Sequence, residues 1–116
     1  HEITDIVESV DLYPTLLDIC GIPLPNHLDG ESLLPLLKGD AQPSDGTAFS
    51  YWYNGLSLRT DRYRLTKFFR NGQTTFELYD HLSDPDENIN VADSLSEVVN
   101  ALHPVLESHQ PGFYKN

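Results

Sequence analysis

Apolar and polar residues alternate from Thr47 to Asp80, and apolar residues recur every three or four positions on either side of that stretch. In the alternating part, TAFSYWYNGLSLRTDRYRLTKFFRNGQTTFELYD, Phe49, Tyr51 and Tyr53 share a face, as do Leu56 and Leu58, Tyr63 and Leu65, and Phe76 and Leu78. A period of two marks a half-buried strand. Turn signals at Asn54-Gly55, Asp61-Arg62 and Asn71-Gly72 divide the stretch into four strands, at about 47–53, 56–60, 63–69 and 75–79. The two Asn-Gly pairs predict type I′ turns, which need positive φ at both central residues. Strands joined this tightly pair antiparallel, and one apolar face is left needing a cover.

The cover follows in the chain. Leu95, Val98, Val99, Leu102, Val105 and Leu106 repeat at helical spacing, with Ser94 and Glu97 placed as a capping box. Pro104 is expected to bend this helix or end its regular part. Before the strands, Val10, Tyr13, Leu16, Leu17 and Cys20 predict a helix over 10–20, with Ser9 as N-cap and Gly21 just past its end. No nearby segment offers that helix's apolar face a partner. A loop follows (PLPNHLDG), then a short helix over 31–38, rich in leucine and stopped by Gly39. Residues 39–46 (GDAQPSDG) have linker composition. The fold class is therefore α+β: a four-stranded antiparallel meander covered by a C-terminal helix and preceded by a helix and loop. The boundary falls between 1–46 and 47–116.

Charge narrows the function classes. Eighteen acidic residues against seven basic ones give a net charge of −11. That excludes general nucleic-acid binding and adhesion to anionic membranes, which need a positive surface. No apolar run approaches the ~20 residues that span a bilayer. The first residue is His1 rather than Met, which suggests a fragment or a processed product. The single cysteine, Cys20, allows no internal disulfide, and its apolar helical setting predicts a buried, inert thiol.

Candidate chemistry is sparse. Asp84, Asp86 and Asn88 have the spacing of a calcium loop, but Ile89 stands where that loop needs glycine and Leu95 where it needs glutamate. The loop reads better as a connection whose Asp and Asn side chains hold backbone N–H groups. The five histidines lack the H-x-x-x-H spacing of a helical zinc site. No G-x-S-x-G elbow and no glycine-rich phosphate loop occurs. Positive charge gathers in one place, where Arg59, Arg62, Arg64, Lys67 and Arg70 make up five of the seven basic residues. Arginine forks match sulfate and carboxylate groups, so Arg59, Arg62, Arg64 and Lys67 are the candidate contacts to a substrate cleft or an interface. The plainer reading is a sheet surface paired with Asp61, Glu77 and Asp80 across strands.

Three motifs together resemble the type I sulfatases. VESVDLYPTLLDICGIPLP with LDGESLLPLLKG resembles the run after their catalytic core. SLRTDRYRLTKF resembles a strand pair of their C-terminal subdomain, in a form most similar to the iduronate-2-sulfatase branch. ELYDHLSDPDENINVAD resembles their closing motif. The resemblance spans Ile6 to Leu106 and implies an alkaline-phosphatase-like α/β enzyme that hydrolyses sulfate esters. Such an enzyme uses a formylglycine, made from the Cys or Ser of a C/S-x-P-x-R motif, and a divalent cation, usually calcium.

Neither the motif nor the metal ligands are matched here, since Cys20 is followed by Ile22 and Leu24 where Pro and Arg are required. No catalytic or metal residue carries over. The resemblance thus implies that 1–46 is the tail end of a large sulfatase domain and 47–116 a C-terminal subdomain that helps wall the substrate cleft. It further implies a sulfated sugar or glycosaminoglycan as substrate of the parent, a missing N-terminal domain as partner, and a periplasmic, secreted or lysosomal setting. The chain alone is expected to be inactive. Two rivals stand beside this reading: a free-standing anion- or glycan-binding module, and the tail of a related phosphodiesterase or phosphonate hydrolase.

Overall fold

A computed structural model describes residues 3–40 and 46–109, which fall into two compact units, one within 1–46 and one within 47–116.

In the second unit four strands form, β1 (Ala48–Trp52), β2 (Gly55–Arg59), β3 (Tyr63–Arg70) and β4 (Gln73–Asp80), and they pair antiparallel in sequence order. The register aligns Phe49, Leu58, Leu65 and Leu78 across the sheet, and Tyr51, Leu56, Lys67 and Phe76 beside them. Leu56, Leu58, Leu65 and Leu78 are completely buried. The cover is helix α1 (Ser96–Ser108), whose Leu106 is also fully buried and whose Val98, Val99 and Leu102 pack on the same cluster.

The two Asn-Gly pairs differ. Asn71 (φ 53°) and Gly72 (φ 72°) both take positive φ between Arg70 and Gln73, as the I′ signal requires. Asn54-Gly55 does not. There the register pairs Trp52 with Gly55, so the turn is Tyr53-Asn54 and neither residue has positive φ. Gly55 serves packing instead: a Cβ on it would lie 2.4 Å from the Trp52 ring. Gly55→Val is therefore expected to push the Trp52 ring off the sheet, seen as a red shift of its emission with the far-ultraviolet spectrum retained.

At the helix, Ser94 does not cap. Its hydroxyl donates to the Val91 carbonyl, and Leu95 takes the N-cap position without a side-chain bond. The helix also runs through Pro104 to Ser108 rather than ending there. The Asn100 carbonyl that loses its donor belongs to an exposed residue, where water can replace the bond. Val105 faces outward.

The loop after β4 ties itself down with its own side chains. Asp84 accepts from the Ile89 N–H (2.8 Å) and from Asn88 Nδ2 (3.1 Å), so both of its oxygens serve the turn. Asn90 Oδ1 accepts from the Leu78 N–H (2.9 Å) and the Ala92 N–H (3.0 Å), and the Val91 N–H donates to the Leu78 carbonyl. The loop thereby closes the free edge of β4, which would otherwise expose unpaired donors and acceptors.

The first unit holds a 3-10 turn (Ser9–Asp11), helix α2 (Leu12–Ile19) and the short helix α3 (Leu34–Lys38). Ser9 is not the cap; the Glu8 N–H donates to Asp11 Oδ2. Helix α3 starts later than the leucine pattern predicts, because residues 31–33 bond to the 3-10 turn and to α2 instead. The Glu31 N–H donates to Asp11, the Ser32 hydroxyl to Asp18 and the Leu33 N–H to Thr15 Oγ1. Gly30 permits this approach, since a Cβ there would lie 2.3 Å from the Val10 carbonyl oxygen. Gly39 ends α3 at φ 78°. The face of α2 that the apolar pattern marks is the open one: Val10, Tyr13 and Leu16 are about half exposed, and Cys20 is exposed rather than buried.

Candidate functional site

Alternation gives the sheet a second face, opposite the leucine core. Ser50, Trp52, Ser57, Arg59, Arg64, Thr66, Phe68, Glu77 and Tyr79 line it, and with Glu87 from the following loop they enclose a cavity of 320 Å³. Its floor is polar and buried. Ser57 and Thr66 are cross-strand partners, both buried, with hydroxyls 3.1 Å apart. Tyr79 donates its hydroxyl to Glu77 at 3.0 Å, and this bond together with burial raises the phenol's pKa, burial contributing more. At the rim, the Trp52 and Phe68 rings meet edge to face at 5.9 Å, and the Arg70 guanidinium lies over Phe68 at 4.2 Å.

The sheet separates the four candidate cations. Arg59 and Arg64 are register partners on the polar face. Lys67, three residues from Arg64, lies on the opposite face, where it pairs with Glu107 of α1 and sits over the Phe69 ring. Arg62, in the turn before β3, forms a two-pronged pair with Asp80, Nε to Oδ1 at 2.9 Å and Nη2 to Oδ2 at 2.7 Å. Lys67 and Arg62 are thus occupied in holding the fold, while Arg59 and Arg64 are brought together.

The two arginines are incompletely partnered. Arg59 donates from a single terminal nitrogen, to the Thr60 and Tyr63 carbonyls. Burial, and then the Arg64 charge beside it, pull its pKa below the ordinary value. Arg64 Nε lies 3.0 Å from Glu87 Oε1 as an ion pair, yet it is buried and without an aligned acceptor. Glu87 also meets His81 Nε2 through the same oxygen. Glu87 was not a sequence candidate. It reaches the cavity from a loop position with φ 58°, and nothing in the strand pattern places it there.

Three carboxylates around the second unit are held below their usual pKa: Asp80 chiefly by the Arg62 fork, Asp84 chiefly by the Ile89 N–H, and Glu107 chiefly by Lys67. A depressed carboxylate stabilises the fold above its unfolded pKa of about 4 and loses that contribution as pH falls through the folded value. The melting temperature is therefore expected to drop steeply below about pH 4. Asp80→Asn should melt lower at pH 6 and fall less between pH 5 and 3; an unchanged pH slope would show that this pair does not contribute.

Among the described residues no group of three His, Cys, Asp or Glu side chains converges as a metal site. The arrangement offers paired guanidiniums that can bind an anion.

Comparison with known proteins places the chain. Human arylsulfatase K is 34% identical over 120 residues, which cover 92% of this chain and 22% of that protein. A protein solved in complex with its substrate D-glucosamine-2-N,6-O-disulfate superposes with a TM-score of 0.74 at 28% identity, over 86% of this chain and 23% of the other. The phosphonate monoester hydrolase of Silicibacter pomeroyi superposes with a TM-score of 0.73 at 28% identity, over 94% of this chain and 26% of the other. The chain thus spans about a quarter of the length of the proteins it matches. Residues 1–111 match the family described as N-sulphoglucosamine sulphohydrolase, C-terminal, and the chain belongs to that family of sulfatase C-terminal domains.

Proposed function

We propose that this chain is the C-terminal part of a longer sulfatase acting on a sulfated sugar or glycosaminoglycan, and that its role there is to wall the substrate cleft and support the fold. The observation that carries the reading is the family match over 1–111 in a chain spanning only about a quarter of its relatives. The formylglycine precursor and the calcium ligands of such an enzyme would lie in the remainder of the longer protein; when bound, the calcium would neutralise the sulfate. This chain contributes neither, because Asp84 is engaged by its own loop and Cys20 lacks the flanking Pro and Arg. The relative solved with a disulfated glucosamine, and the family description itself, favour a sulfated amino sugar or its neighbour in a glycosaminoglycan as substrate.

A second reading, hydrolysis of a phosphonate or phosphate ester, is favoured by the similarity to a phosphonate monoester hydrolase. One assay covers both. The chain alone, incubated with an aryl sulfate and calcium, is expected to give no turnover above blank. The longer protein is expected to release sulfate from a sulfated monosaccharide faster than it cleaves an aryl phosphonate. Turnover by the chain alone would defeat the assignment of the chemistry elsewhere, and faster phosphonate cleavage would select the second reading.

A further inference from the structure

We propose that the polar face of the sheet is a binding site for one singly anionic sugar ring, whose carboxylate or sulfate bridges Arg59 and Arg64 and whose apolar side rests against Trp52. This deepens the cleft-wall reading above and rests on it.

Three observations point to a ligand. Arg64 Nε is buried and lies 3.0 Å from Glu87 Oε1 without aligning on it, and that one oxygen is shared with His81, so the guanidinium's present partner is a divided one. Arg59 lies beside it in register and donates from only one of its nitrogens, so two adjacent forks still present donors on one face. A carboxylate or sulfate has the geometry to take both. Burial first, and the neighbouring Arg64 charge second, disfavour the charged form of Arg59, and an anion between the two guanidiniums would offset the second of these.

The rest of the cavity defines what carries the anion. Its 320 Å³ lies at the small end of ligand pockets, which fits one ring rather than an oligosaccharide. The Ser57 and Thr66 hydroxyls match ring hydroxyls, and Trp52 offers a flat apolar surface at the edge. Glu77 and Glu87 border the same space, so a second negative charge on the ligand would be repelled. Glu87, paired with Arg64 now, competes with the ligand for that guanidinium.

Trp52 is the only tryptophan in the chain, so its emission reports the site directly. The chain is titrated with glucuronate, with glucose 6-sulfate and with glucose. The expected result is a saturable change with at least one of the two anionic sugars and none with glucose at the same concentration. Which anion binds more tightly tells whether the carboxylate or the sulfate is the preferred source. Arg64→Gln should weaken binding about tenfold or more, the loss of a charged hydrogen-bond pair. Glu87→Gln should tighten it several-fold. If Arg64→Gln melts early, Arg64→Lys, which keeps the charge and loses the fork, should still weaken binding. Absence of saturation with both anions, equal binding of glucose, or unaltered affinity in both Arg64 variants would overturn the proposal. Because the readout is binding by this chain and not hydrolysis by the longer protein, either test can fail without the other.

Discussion

Leu106→Asp is expected to abolish the cooperative melting of the second unit. Leu106 has no exposed surface and packs from α1 onto the sheet leucines. A carboxylate placed there would sit among leucines and valines, with Lys67 of the same face already paired to Glu107, and burying an unpaired charge costs several kcal/mol. A small domain has only about 5–15 kcal/mol of total stability. Leu106→Ala is the graded control: it removes methyl groups and leaves a cavity, for a loss of about 2–5 kcal/mol. Circular dichroism melts of both variants check this. A Leu106→Asp protein that melts like the wild type would show that α1 does not cover the sheet.

Asn90→Ala is expected to be costly for so exposed a residue, by about 2 kcal/mol, because it leaves a buried strand N–H without an acceptor. The Asn90 side chain caps the Leu78 N–H at the open edge of β4 and holds the Ala92 N–H that begins the path to α1. For a unit of this size that loss lowers the melting temperature by about 10 °C. Hydrogen exchange should localise the effect, with the Leu78 amide losing protection before the Leu65 amide in the neighbouring strand. Asn90→Asp keeps the acceptor oxygen and should recover most of the loss.

Much of the second unit was legible because its residues obey one period at a time. Leu56, Leu58, Leu65 and Leu78 alternate with polar neighbours, and their burial follows from that alone. The separation of Arg64 from Lys67 was also readable, since positions three apart in a strand face opposite ways. Grouping the cations by sequence proximity obscured it. What could not be read was supplied by contacts between segments. Gly55 has the residue type of a turn, yet it is held in the strand by the Trp52 ring lying where a side chain would be. Asp11, Thr15 and Asp18 look like an ordinary polar helix face, but they bind residues 31–33 and delay the start of the leucine-rich helix. Glu87 enters the cavity from a left-handed loop position that no periodicity describes.

The arginine pair connects the fold to its role. If the sheet contributes binding and the chemistry lies elsewhere in the longer protein, losing the pair should affect substrate capture more than turnover. The most direct measurement is sulfate release from a sulfated monosaccharide by that longer protein, comparing wild type with Arg59→Gln/Arg64→Gln at matched folded fraction. A KM raised about tenfold or more, with kcat within about threefold, is the expected result. A collapsed kcat at unchanged KM, or no change in either constant, would contradict the assignment of this domain as a wall of the cleft.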